Sequence, residues 1–158
     1  MFLSKNKDTL EDYLKRNNIP HEFILYDDVS TSEKASEIAP KEKIGKTIVF
    51  LNEKGEPIII LLRAIYRVNQ KKLAKLLGFR DLRLAQPEEV KKFTGYEVGG
   101  VSPFDINHII YIDKDLINED DVYVGGGDKN HLLKVKMEDI VKNNKIIVID
   151  VPKKSEVP

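Results

Sequence analysis

Two apolar, β-rich runs, Thr47-Ile48-Val49-Phe50-Leu51 and Ile58-Ile59-Ile60-Leu61-Leu62, flank the polar segment Asn52-Glu53-Lys54-Gly55-Glu56. β-Branched and aromatic residues favour extended backbone, and a short glycine-containing linker between two such runs reads as a hairpin. A chain built around this pair must contain a β-sheet. The second run is also the longest apolar stretch, far short of the roughly 20 residues that cross a bilayer. No membrane partner is expected. Met1-Phe2-Leu3 gives way at once to Ser4-Lys5-Asn6-Lys7-Asp8, without the apolar core of a signal peptide, so a cytoplasmic location is expected.

Helical signals surround the hairpin. Asp8-x-x-Glu11 reads as a capping box for a helix carrying Leu10, Tyr13 and Leu14 and ending near Asn18, ahead of Ile19-Pro20. Ser30-x-x-Glu33 reads as a second, with Ala35, Ile38 and Ala39 following and Pro40 ending the helix. Asn69 caps a third helix, with Leu73, Leu76 and Leu77 inward, Gly78 as its stop and Val68 against Leu73 as a hydrophobic staple. Pro87-Glu88-Glu89 is a first turn with acids at the positive end of the helix dipole, and Val90 and Phe93 point inward. Strands are expected over residues 21–26, 109–112, 121–124, 132–135 and 145–149, with a short helix over 137–141 and a frayed tail from 151. The order is neither strict βαβ alternation nor all-β. It predicts an α+β fold, a mixed sheet or small barrel-like core with surrounding helices, as one domain over residues 1–158.

Composition narrows the chemistry. Hydrophobic residues make up 41% and charged residues 33%, enough for a core and a soluble surface and unlike a disordered chain. Without Cys there is no disulfide, thiolate metal site or cysteine nucleophile, and His21, His108 and His131 are too scattered for a zinc-protease motif. No metal and no cofactor are expected. Basic and acidic residues balance at 26 each, yet residues 41–75 carry nine Lys or Arg against three Glu, and residues 105–128 carry seven acids against Lys114 alone. Such polarity can turn one face to phosphates, or can be ordinary solvated surface.

Six of the nine glycines fall between positions 95 and 127, among them Gly99-Gly100-Val101-Ser102-Pro103 and Gly125-Gly126-Gly127. Glycines admit positive φ and close approach, so each loop can turn backbone N–H groups toward a carbonyl or phosphate, or can be a plain tight turn. Neither matches a P-loop or dinucleotide fingerprint. Lys46 opens the first apolar run, where it can hold a fixed charge over a pocket or be a solvated strand end. His131 can contact a ligand or be a satisfied structural histidine.

In order, Lys46-Thr47-Ile48-Val49-Phe50, Lys72-Leu73-Ala74-Lys75-Leu76-Leu77-Gly78, Ala85-x-Pro87-Glu88-Glu89-Val90, Thr94-Gly95-Tyr96-Glu97-Val98-Gly99-Gly100-Val101-Ser102-Pro103-Phe104, Ile112-Asp113 and Gly125-Gly126-Gly127 resemble the YbaK/ProX family of aminoacyl-tRNA deacylases. That family is similar to the editing domain inserted in bacterial prolyl-tRNA synthetases. The resemblance spans about positions 8 to 150. It implies a mixed α/β barrel-like fold and a trans-editing hydrolase that deacylates mischarged aminoacyl-tRNA, typically Cys or Ala on proline tRNA, with no protein nucleophile.

The resemblance further implies roles for named residues. Lys46 and Gly100 are expected to be catalytic. Substrate binding is expected from Thr31, Thr47, Gly99, Val101, Ser102, Gly125, Gly126, Gly127 and His131. Apart from the resemblance, the basic excess over residues 41–75 and the outward side of the third helix make Lys71, Lys72 and Lys75 the expected holders of the acceptor end of the aminoacylated tRNA. Prolyl-tRNA synthetase is a further expected partner; the oligomeric state is left open. Two departures from the family pattern stand out. Arg63-Ala64-Ile65-Tyr66-Arg67 stands where many members carry a tighter Gly-Asp turn. The acid that YbaK-type members place a few positions past the glycine-rich stretch has no match here: Leu132 lies near that place and His131 precedes it, a histidine there being closer to Ala-type members. The alternatives are a non-catalytic module that binds aminoacyl-tRNA or a synthetase, and a small-molecule binder using the same pocket.

Overall fold

The computed structural model describes residues 4–29 and 31–154. Its elements run α1 (Lys7–Arg16), β1 (Glu22–Leu25), α2 (Ser32–Ala35), a 3-10 turn (Lys41–Lys43), β2 (Gly45–Asn52), β3 (Pro57–Arg63), α3 (Gln70–Leu77), β4 (Leu82–Leu84), α4 (Pro87–Thr94), β5 (Ile110–Asp113), β6 (Asp121–Gly125), β7 (His131–Lys136), α5 (Met137–Lys142) and β8 (Ile146–Ile149). The hairpin of β2 and β3 sits at the centre of a five-stranded sheet ordered β4-β2-β3-β5-β8. Its turn is organised by Asn52, whose Oδ1 accepts the amides of Lys54 (3.0 Å) and Glu56 (2.9 Å), with Gly55 in the left-handed region.

Both faces of this hairpin are covered, which is why the runs over residues 48–51 and 58–62 are apolar at successive positions rather than at alternate ones. Val49, Leu51, Ile59 and Leu61 point into one core with Leu10, Leu14, Ile110, Ile112, Val122 and Val124. Phe50, Ile58, Ile60 and Leu62 point the other way, against Val68, Leu73 and Ala74. The second sheet, β1-β7-β6, is wholly antiparallel and closes over the first core. The fold is therefore α+β, as the sequence predicts, but the barrel-like core resolves into two sheets. Among the described residues they are joined by one parallel bridge, Ile44 to Tyr123, and no closed barrel forms. No described helix is long and apolar enough to cross a membrane.

Several local expectations shift. The first helix is capped by Asn6, not Asp8. Asn6 Oδ1 accepts the Thr9 amide (3.0 Å) and Thr9 Oγ1 accepts the Asn6 amide (2.9 Å), while Glu11 pairs with Lys7 one turn back (3.1 Å). Ser30, expected as the second cap, lies outside the described residues. Thr31 Oγ1 accepts the Lys34 amide (3.2 Å), and the helix it starts is only four residues long. For α3 the expected cap and stop are present: the Asn69 side chain accepts from the Lys72 amide and Gly78 is left-handed. Leu76, however, is 54% exposed. At 100° per residue it lies beside the stripe made by Leu73, Ala74 and Leu77.

Residues 151–154 are not frayed. Val151 is buried and donates its amide to Asp113 Oδ1 (3.1 Å), the Asn69 amide reaches Pro152 O and the Lys154 amide reaches Arg67 O. Lys153 closes the clasp on the fully buried Asp113 carboxylate at 2.7 Å.

Candidate active site

The sheet is incomplete beside β2. Along β3 it is paired over its whole length, but on the other side β4 covers only Phe50, Leu51 and Asn52, with Val49 O accepting the Ala85 amide (3.0 Å). Strand geometry sends the backbone groups of successive residues to opposite sides. Ile44 O and the Asn52 amide bond toward the β3 side, so the even-numbered residues are committed there and Thr47 turns its N–H and C=O to the uncovered edge. A cleft of about 450 Å³ opens along that edge.

The cleft collects residues that lie far apart in the sequence, from Val29 to Leu132. Its wall includes Lys46 and Thr47 of β2, Thr31 at the cap of α2, Gly99 and Val101 of the first glycine loop, and Gly125 and His131 at the facing ends of β6 and β7. The remainder is apolar, with the small residues Val29, Ala35, Ala64, Ala85 and Val90 beside the larger Ile44, Ile48 and Leu132, and with Leu84 and Val98 exposed at the rim. Among the described residues, no carboxylate lines the cleft.

Lys46 is half-buried and makes no ion pair or hydrogen bond with a described residue. Burial, and then the nearby charge of Arg67, push its ammonium below the usual lysine value. Thr47 Oγ1 is buried and has no partner among the described residues. Gly99 has φ +92°, and neither its amide nor that of Val101 finds an acceptor among the described residues. On the opposite wall His131 Nδ1 lies 2.7 Å from Asp128 Oδ1, which also accepts the Asn130 amide at 2.9 Å. The second glycine loop must approach closely: a Cβ on Gly125 would lie 1.9 Å from Val101 O.

Of the expected site residues, Thr31, Lys46, Thr47, Gly99, Val101, Gly125 and His131 are brought together. Gly100 is not on the cleft wall. Its amide donates to Glu97 O (3.1 Å), its carbonyl accepts from the Gly127 amide (3.0 Å), and its φ is not positive. A Cβ there would enter backbone, 2.4 Å from the Asp128 Cα, rather than substrate space. Gly100 joins the two glycine loops. Ser102 is fully buried, its Oγ without a partner among the described residues, Gly126 abuts His131 O and Gly127 abuts the Lys7 amide. None of the three lines the cleft.

The basic excess is also redistributed. Arg63 is held by Asp115 (2.8 Å), Glu119 (3.2 Å) and Glu42 O, so part of the basic block neutralises part of the acidic one. Lys71, Lys72 and Lys75 are exposed, as expected, but α3 covers the face of the sheet carrying Phe50, Ile60 and Leu62. Lys71 and Lys75 border a separate cavity of about 760 Å³ with Arg80 and Lys154. Sequence reasoning missed the apolar wall, the Arg67 neighbour of Lys46 and the Asp128 partner of His131. Only the last had a signal, an acid three residues before the histidine in a glycine-led turn.

The two-sheet α+β domain thus has a cleft lined by an ammonium and two backbone amides without partners among the described residues, beside an apolar wall. The chain belongs to the aminoacyl-tRNA editing domain family, whose model matches residues 27–143. It is 35% identical over 96 residues to the proline–tRNA ligase of Brachyspira hyodysenteriae, a match covering 59% of this chain and 17% of the ligase. This chain thus corresponds to about a sixth of such a ligase. Among solved structures, the hypothetical protein APE2540 superposes with a TM-score of 0.79 at 28% identity, over 90% of this chain and 97% of the other. A proposed trans-editing enzyme for prolyl tRNA synthetase superposes with a TM-score of 0.78 at 25% identity, over 94% and 97% of the two chains.

Proposed function

We propose that the protein is a trans-editing hydrolase that removes a small, wrongly attached amino acid from proline tRNA, with alanine or cysteine as the amino acid. The observation that carries this reading is the cleft itself: a Lys46 ammonium and Gly99 and Val101 amides without partners among the described residues, beside an apolar wall that includes Ala35, Ala64 and Ala85. An aminoacyl ester presents a carbonyl that becomes an oxyanion when attacked. Donors already oriented in a partly desolvated cleft stabilise that charge without reorganising, worth about 3 kcal/mol for each well-placed group. The cleft limits the side chain it accepts by volume, since Ala35, Ala64 and Ala85 leave room that larger residues would fill. The likeness of His131 to the histidine of Ala-type members favours alanine over cysteine as the group removed, and Thr47 Oγ1 is a polar atom available to the bound amino acid.

The rest of the substrate needs phosphate contacts. Lys71, Lys72 and Lys75 are the proposed tRNA-binding face, with prolyl-tRNA synthetase as the proposed partner and the cytoplasm as the proposed location. The deciding experiment is a deacylation panel with proline tRNA carrying Ala, Cys, Ser or Pro. Turnover of Ala or Cys ester with Pro ester spared is expected. Binding of charged tRNA without turnover would favour a non-catalytic module instead.

A further inference from the structure

We propose that Asp128 and His131 work as a pair in which His131 Nε2 is the general base for the hydrolytic water and Asp128 is the positioning residue that makes it so. The inference rests on the deacylase reading above. Among the described residues, two titratable side chains, Lys46 and His131, line the cleft, and no carboxylate does. A lysine ammonium has no lone pair to receive a proton; an imidazole has one at whichever nitrogen lacks hydrogen. Asp128 Oδ1 stands 2.7 Å from Nδ1. A carboxylate only accepts, so Nδ1 carries the hydrogen, and in the neutral ring the lone pair then falls on Nε2, which has no partner among the described residues.

The pair is held from several sides. The same Asp128 oxygen accepts the Asn130 amide (2.9 Å), and Asn130 Nδ2 donates to Asp27 O (2.6 Å). Val29 donates its amide to Lys129 O (2.7 Å), while the Phe23 ring meets the imidazole edge-on at 6.2 Å. Through Gly127 N–H to Gly100 O, the turn bearing Asp128 is joined to the loop bearing the Gly99 and Val101 amides. Base and oxyanion donors therefore share one frame.

The step balances with water as co-reactant. Nε2 takes one proton as the water oxygen bonds to the ester carbon, and the carbonyl electron pair moves to oxygen beside Lys46 and the two amides. On collapse the carbon–oxygen bond to the ribose breaks and the ribose oxygen recovers the proton from Nε2. The products are the tRNA hydroxyl and an amino acid whose carboxyl group then ionises.

Side-chain nitrogen NMR on the whole protein and single-turnover deacylation test the pair together. In the wild type His131 should show hydrogen on Nδ1 and a bare Nε2. His131→Ala should lower the rate about a hundredfold. Asp128→Ala should lose the fixed tautomer and about tenfold in kcat, with KM changed less than about twofold. Asp128→Asn should recover both, within about threefold, because the Asn130 amide keeps Oδ1 turned toward Nδ1–H. Full kcat in Asp128→Ala, an unchanged tautomer there, or equal damage in the Ala and Asn variants overturns the inference. If the wild type hydrolyses none of the charged tRNAs, the deacylase reading and the base role fall together. The nitrogen shifts need no substrate and decide the tautomer independently.

Discussion

Replacing Gly100 by alanine separates two accounts of the glycine loop. The added methyl would sit 2.4 Å from the Asp128 Cα, 2.5 Å from its amide nitrogen and 2.7 Å from the Gly127 carbonyl carbon. All three are backbone atoms and none can swing aside, so the loops must part. Overpacking of this kind costs about 1–3 kcal/mol. Parting the loops also strains the Gly127 N–H to Gly100 O bond, worth about 1 kcal/mol. A total near 2–4 kcal/mol lowers the melting temperature by about 5–15 °C in a domain of this size. Activity should fall as well, since Gly99 and Val101 move with the loop, but the melting temperature is the discriminating readout. Calorimetry and deacylation on the same sample provide the check. An unchanged melting temperature with activity abolished would refute the packing argument and return Gly100 to the wall of the cleft.

Other expectations follow from the same geometry. Lys46→Met should cut deacylation about a hundredfold or more, while the melting temperature stays level or rises, because burial disfavours the ammonium it removes. A melting temperature that drops would show that Lys46 has a stabilising partner after all. Glu89 is held at about 2, first by Arg83 (2.8 Å) and then by the Gln86 amide (2.8 Å). Its contribution is therefore complete above the usual 4.5 and vanishes as pH falls through about 2. Melting curves of wild type and Glu89→Gln should converge over that interval, and a constant gap would refute the assignment. Reversing Lys71, Lys72 and Lys75 to Glu should weaken tRNA binding and flatten its salt dependence, with the melting temperature unmoved. Unaltered affinity and salt slope would exclude that face.

The central hairpin was legible because both of its faces are buried, so every position from Ile58 to Leu62 had to be apolar. Helix α3 was legible because Asn69 and Gly78 are chemically marked for their positions. Asp8-x-x-Glu11 and Asn6-x-x-Thr9 have the same spacing, and only the extended backbone at Asn6 distinguishes the true cap. In the cleft, Lys46, Gly99, Val101, Gly125 and His131 stood out through unusual chemistry or clustering and through the ordered family motifs. Ala35, Ala64 and Ala85 carry no such mark. They become a wall only when α2, the end of β3 and the start of α4 converge. The position of Gly100, off the cleft wall, was hidden for a related reason: its neighbours, Gly127 and Asp128, are adjacent to it in space but not in sequence.

The uncovered edge of β2 gives the protein a built-in exchange reporter. The amides of Lys46, Ile48 and Phe50 are turned to β3, within the most deeply buried pair of strands, and should exchange with deuterium only on near-global opening. Thr47, between them on the same backbone, faces the cleft and should exchange far faster. Its flanking residues supply the reference for its own strand, free of differences in sample or temperature. Anything that fills the cleft must slow that single amide without altering its neighbours, so occupancy can be read at one backbone nitrogen before any reaction has been assigned.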